Sequence, residues 1–183
     1  MDSPDGHEVS GKACPLARYC STQEAKPPCI VPTEAEAKPL AAADGLKHLA
    51  APPVADVALV PAPPMTIDEA KISRYLWAVV PDLIPYALEQ TAVFGLELIK
   101  HTNLTGGVDA FSGGELWFID ERSFAFNGSS GRYGPRSKSH LDEICTLFRK
   151  LGYRVACTGF DTEVNRSRPV FLEDEVRWME AAE

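Results

Sequence analysis

Aromatic side chains are almost missing from the first third of this 183-residue chain: of 16 Phe, Trp and Tyr, only Tyr19 precedes Thr66. Proline runs the other way, with 11 of 15 before Thr66. A segment built from Ala, Pro and Val has little large apolar surface to bury against the entropy of ordering. Residues 1–65 therefore read as a disordered Pro/Ala-rich leader or linker, and residues 66–183 as a compact domain. Tracts such as EAKPPCIVPTEAEAKPLAAA favour extended polyproline conformations and serve as semi-rigid spacers.

Basic charge is also scarce. The formal net charge is −8, with 8 acids against 5 bases up to Met65 and 18 against 13 after it. Neither part has the footprint of a protein that grips duplex DNA by its phosphates. A local positive patch is still available from Arg132, Arg136 and Lys138. The five cysteines form no C-x-x-C pair, which argues against zinc, and an odd count fits a reducing compartment. The opening MDSPDGHEVSGK lacks the basic and apolar regions of a signal peptide. The expected location is the cytoplasm where the chain is made, with any delivery to another cell by a different route. From Tyr75 to Ile99 the chain is apolar, but Pro81, Asp82, Pro85, Glu89 and Glu97 interrupt it, so no membrane span is expected. P-loop, G-x-G-x-x-G and G-x-S-x-G motifs are absent, as is any Ser-His-Asp order. No metal-ligand cluster is readable, so no metal and no cofactor is expected.

What is present begins at Thr66-Ile-Asp-Glu69, a capping box that predicts a helix to about Val80, where Pro81 stops it. Pro85 suits the first turn of a second helix, with Leu88, Ala92, Leu96 and Ile99 at helical spacing. Glu115–Asp120 and Ser123–Asn127 read as a hairpin, since Trp117, Ile119, Phe124 and Phe126 alternate. A third helix is predicted over Ser139–Leu151, with Leu141, Ile144, Cys145, Phe148 and Leu151 on one face and Gly152 as its cap. Tyr153–Thr158 reads as a strand, and the segment through Arg177 and Trp178 as a short closing helix. The expected fold is α+β: two N-terminal helices, a small antiparallel sheet and a third helix, behind a disordered leader.

The site-like stretch is His101–Gly134, where glycines and small hydroxyl residues surround a few reactive side chains. His101 sits where the second helix should end and is the candidate acid/base group, or a cap on the last carbonyls. In Ser129-Ser130-Gly131-Arg132-Tyr133-Gly134, Arg132 offers a planar fork for phosphate or carboxylate, and Tyr133 can stack on a base or donate a proton. Ser129, Ser130, Asn103 and Glu115 complete the candidate substrate-binding set. A tight turn with a surface ion pair is the plainer reading of the same loop.

Taken together, HTNLTGG, SGGELWF and NGSSGRYG resemble small C-terminal toxin-like domains of bacterial polymorphic toxin systems, over roughly Ile99 to Asp161. The resemblance implies an effector delivered into a competitor and neutralised by a cognate immunity protein. Such effectors are commonly ribonucleases, and others are ADP-ribosyltransferases or peptidases. The acidic charge here departs from the basic character usual in ribonuclease effectors.

Two functions follow as expectations. One is an effector enzyme acting without metal on a phosphate-bearing substrate, RNA or a nucleotide, through His101, Arg132 and Tyr133. The other is a non-enzymatic interaction module, such as an immunity or adaptor protein, whose acidic surface suits a basic partner. A positive cleft around Arg132 would favour the first; a continuous acidic face would favour the second.

Overall fold

The computed structural model describes residues 14–63, 65–169 and 176–182. In chain order its elements are α1 (Pro15–Thr22), α2 (Glu34–Ala37), β1 (Lys47–His48), α3 (Ile67–Ile72), β2 (Tyr75–Val79), β3 (Pro85–Leu88) and α4 (His101–Thr105). They continue with β4 (Ser112–Asp120), β5 (Ser123–Asn127), α5 (Lys138–Lys150), β6 (Arg154–Cys157), β7 (Phe160–Asp161), β8 (Arg166–Ser167) and β9 (Trp178–Met179). Seven strands form one sheet in the order β1-β3-β2-β4-β5-β6-β9, and β7 pairs with β8 separately. Every pairing in the large sheet is antiparallel except β5 with β6. That parallel pair is possible because α5 carries the chain back across the sheet, as a parallel connection requires.

The β4–β5 hairpin forms at the predicted place, but it is covered on both faces rather than half-buried, with Phe124 and Phe126 in the main core and Trp117 and Ile119 in a smaller cluster on the other side. Leu116 opposes Phe126 and Phe118 opposes Phe124, so one face is a continuous apolar wall. Asp120 Oδ1 accepts the Arg122 N–H at 2.7 Å and closes the turn. Against this wall lies α5, started by Ser137, whose hydroxyl accepts the His140 N–H at 3.1 Å. The helix gives way at Gly152, which takes φ +95°. Phe148 meets Trp77, Phe124 and Phe126 edge-on, with ring centroids at 5.3, 5.1 and 5.0 Å. The opposite face is covered in two patches. Trp117, Ala125 and Ala156 pack with Ala70 of α3, and Leu76, Ala78 and Ala87 pack with Ile99 and Leu104.

These observations correct the expected architecture. The protein is dominated by a seven-stranded mixed sheet rather than by two N-terminal helices on a small antiparallel one. The Thr66 capping box is real: Glu69 N–H reaches Thr66 Oγ1 at 3.2 Å and Thr66 N–H reaches Glu69 Oε2 at 2.7 Å. Its helix ends at Ile72, however, and Tyr75–Val79 is a central strand. A strand buried on both faces reads as a continuous apolar run, which periodicity alone cannot tell from a buried helix. Pro85 starts strand β3 rather than a helix. Trp178–Met179 is an edge strand instead of part of a closing helix, and residues 170–175 lie outside the described ones.

The leader needs the same correction. Leu16, Tyr19, Leu49 and Val54 are buried in the main core, Val60 and Leu40 in the two smaller clusters. The Tyr19 hydroxyl lies 2.8 Å from His140 Nε2, and the Tyr153 hydroxyl donates to the Ala50 carbonyl. Residues 14–63 are thus not a disordered tail. Their few large apolar groups are irregularly spaced, and nearly all of their partners are distant in sequence.

Candidate functional site

Strand β4 opens with Ser112, Gly113 and Gly114, and these small residues let other chain segments come close. A Cβ on Gly114 would lie 2.0 Å from the Asn127 carbonyl oxygen, so no larger residue fits there. A Cβ on Gly113 would meet the Trp77 carbonyl at 3.0 Å and the His101 ring at 3.1 Å. The imidazole therefore lies against the strand backbone, and His101 Nε2 is 2.9 Å from the Gly114 carbonyl. A carbonyl can only accept, so Nε2 carries the proton. Nδ1 is left as the basic nitrogen, with no hydrogen-bond partner among the described residues. Burial, aided by the charges of Arg132, Arg74 and Lys100, pushes the ring down to about 4, against the opposing pull of the Gly114 bond. His101 is neutral at pH 7. It begins α4 rather than ending a helix, so a helix C-terminus does not set its charge.

Glu115, next along the strand, joins a polar chain. Its Oε1 lies 3.1 Å from Arg74 Nη1, and its Oε2 accepts from Asn127 Nδ2 at 2.9 Å. Arg74 in turn grips Glu89 through Nε at 2.7 Å and through Nη2. Burial raises the Glu115 carboxyl above its usual range, partly offset by Asn127 and then Arg74. Arg74 and Glu89 were invisible as site residues, because the helical reading of their segments gave them no common location.

The 128–136 loop brings Arg132 and Tyr133 to the same end of the sheet. Ser130 Oγ accepts the N–H groups of Arg132 at 3.3 Å and Tyr133 at 3.0 Å, so it shapes the turn. The Ser129 N–H donates to Asn127 Oδ1 at 2.9 Å. Arg132 Nη2 is 3.0 Å from Glu36 Oε2, while its buried Nε has no acceptor among the described residues. The Tyr133 hydroxyl donates to the Val108 carbonyl at 2.8 Å and lies 3.0 Å from Thr105 Oγ1, which commits it inside the protein. Asn103 is committed too: Oδ1 accepts from Lys100 N–H at 2.8 Å, and Nδ2 donates to the Ala35 and Lys38 carbonyls, both at 2.9 Å.

Beside Arg132 opens a pocket of about 180 Å³, lined by Lys26, Cys29, Phe111, Arg132, Tyr133 and Arg136 among others. Three cations and no carboxylate side chain line it. The nearby acid Glu24 pairs with Lys26 at 3.4 Å, and its carbonyl accepts from Arg136 at 2.9 Å. Arg136 was legible as part of a basic patch; Lys26 was not, because it belongs to the leader. Lys138 pairs instead with Asp142 along α5 at 2.7 Å. A groove of about 230 Å³ between α1 and α5, with Tyr19 and Leu147 in its wall, has no comparable convergence of like charge.

Among the described residues, no group of three or more His, Cys, Asp and Glu side chains is placed to hold a metal, and no helix is long and apolar enough to cross a membrane. No family model, curated protein or solved structure matches the chain.

Proposed function

We propose that this chain is a toxin-like effector domain that acts on a phosphate-bearing substrate, RNA or a nucleotide, seated in the pocket beside Arg132. The observation that carries this reading is local charge reversal: a chain of net charge −8 lines one small pocket with Lys26, Arg132 and Arg136, while Glu24 and Glu36, which pair with Lys26 and Arg132, lie outside its lining. Guanidinium forks bind phosphate oxygens with two parallel hydrogen bonds, and a shared cationic wall raises the local concentration of anions. Tyr133 and Phe111 supply flat apolar walls suited to a base or ribose. His101, neutral with Nδ1 unprotonated, is in the form a general base needs, but burial makes it a weak base and it stands behind the pocket rather than in its lining. Tyr133 serves as a wall rather than a proton donor, since its hydroxyl is already engaged.

Inducible expression of the full chain in a bacterial host, beside Arg132→Ala, tests this. The expected outcome is growth arrest that Arg132→Ala relieves at equal expression, with RNA fragments or altered nucleotide pools naming the substrate. Normal growth with folded protein would remove the effector reading. It would favour a protein-binding module, for which the exposed apolar side chains Ile30, Val31 and Val108 are available as contacts.

A further inference from the structure

The segment from Lys26 to Leu40 is fastened along the candidate site rather than merely adjacent to it. Lys26 exchanges two backbone hydrogen bonds with Ala110, at 2.9 and 3.0 Å. Cys29 N–H donates to the Arg132 carbonyl at 3.1 Å, and Leu40 N–H to the Asn103 carbonyl at 2.9 Å. Between these ties, Asn103 holds the carbonyls of Ala35 and Lys38, and Ala37 lies so close to Gly107 that a Cβ there would meet it at 3.3 Å. The strap thereby places Glu36 against Arg132.

The Arg132 contact is half made. Glu36 takes Nη2 at 3.0 Å and leaves the buried Nε without an acceptor among the described residues. A buried guanidinium N–H without a partner is unfavourable, and a phosphate spanning Nε and Nη2 would satisfy both. Glu36 has a second partner ready: its Oε2 also accepts the Thr33 N–H at 3.0 Å, in the capping box of α2. It can release Arg132 and remain hydrogen-bonded.

We infer that Glu36 is a built-in competitor for the phosphate site, so that substrate phosphate engages Arg132 only as Glu36 retreats to its capping bond and the 26–40 strap loosens. This rests on the phosphate-binding reading above and adds its regulation. The apparent affinity for phosphate is lowered by the fraction of molecules in which Glu36 holds Arg132. Anything that draws the strap away, such as a partner or cleavage within it, opens the site.

The test is calorimetric titration of inorganic pyrophosphate into the full-length wild type, Glu36→Gln, Arg132→Ala and the double variant at low ionic strength. Gln keeps an acceptor for Thr33 but removes the charge. Glu36→Gln should bind about tenfold more tightly than wild type, the scale of one charge-assisted hydrogen bond. The double variant should bind no better than Arg132→Ala. In the wild type, pyrophosphate should speed amide exchange at Leu40, a readout that does not depend on any variant folding. Equal binding by wild type and Glu36→Gln, lost in Arg132→Ala and with Leu40 exchange unchanged, would overturn the competitor while leaving the phosphate reading intact. Binding by no form would sink the phosphate reading and the competitor with it. Parallel titrations with ADP and a 5′-phosphorylated oligoribonucleotide distinguish a nucleotide from an RNA end as the phosphate source. The Glu36→Gln gain must appear with whichever binds more tightly.

Discussion

Strand β4 passes through two environments that share only backbone geometry. From Leu116 to Phe118 its side chains are sealed among apolar groups, on one face by α5 and on the other by α3. From Ser112 to Glu115 it carries no large apolar side chain, and the space is taken by the His101 ring, the Glu115–Arg74 ion pair and the Asn127 amide. The apolar half is held by non-directional burial that tolerates no polar gap. The small-residue half is held by directional bonds that tolerate exchange of partners. The same strand thus supplies a rigid base and, one turn of the pleat away, a place where groups can be swapped.

The sharpest way to break the comparison is in the apolar half. Phe148→Ala removes a ring wedged among three other aromatics and should cost about 3–5 kcal/mol in urea unfolding. A loss below 1 kcal/mol would mean that the aromatic wall is not the foundation of the fold.

Acidification comes next. His101 and His140 are both buried and both pushed down to about 4 by burial. The unfolded chain therefore takes up protons below pH 6.5 that the folded protein refuses. Stability should fall as pH drops from 6.5 toward 4, by on the order of 3 kcal/mol for each ring. His140→Gln should flatten part of that slope; a profile parallel to wild type would show that His140 is already charged in the fold.

Tyr19→Phe probes the leader. The His140 Nδ1 accepts the Arg136 N–H at 3.3 Å, so Nε2–H donates to the Tyr19 hydroxyl at 2.8 Å. Deleting that hydroxyl should cost about 1–2 kcal/mol by stranding a buried donor. No change would detach the leader from the core.

The smallest effect belongs to the exchangeable half. Arg132→Ala should lower stability by about 1 kcal/mol or less, because the pair is single-contact and Glu36 retains Thr33. Its loss of pyrophosphate binding should nevertheless be complete.

Much of the local structure was legible beforehand. The β4–β5 hairpin appears at Glu115–Asn127 as read, although the residues that signalled it divide between faces, Phe124 and Phe126 on one and Trp117 and Ile119 on the other, and α5 appears in Lys138–Lys150 because its apolar residues keep helical spacing. The site was legible as a stretch but less so as roles. His101, Glu115 and Arg132 do gather at one end of the sheet, whereas Asn103, Ser130 and the Tyr133 hydroxyl are occupied with holding loops and strap in place. Arg74, Glu89, Glu36 and Lys26 could not be found, because each reaches the site through a segment whose conformation was misread.

The sequence by itself determined what short-range physics can encode: the Thr66 cap, the place of the hairpin and the helical stripe ending at Gly152. Only the tertiary structure decided that Tyr75–Val79 is a strand, that the leader is part of the core, and that a leader carboxylate lies on Arg132. Those outcomes depend on contacts between residues far apart in the chain, whose energies leave no period and no local motif to read.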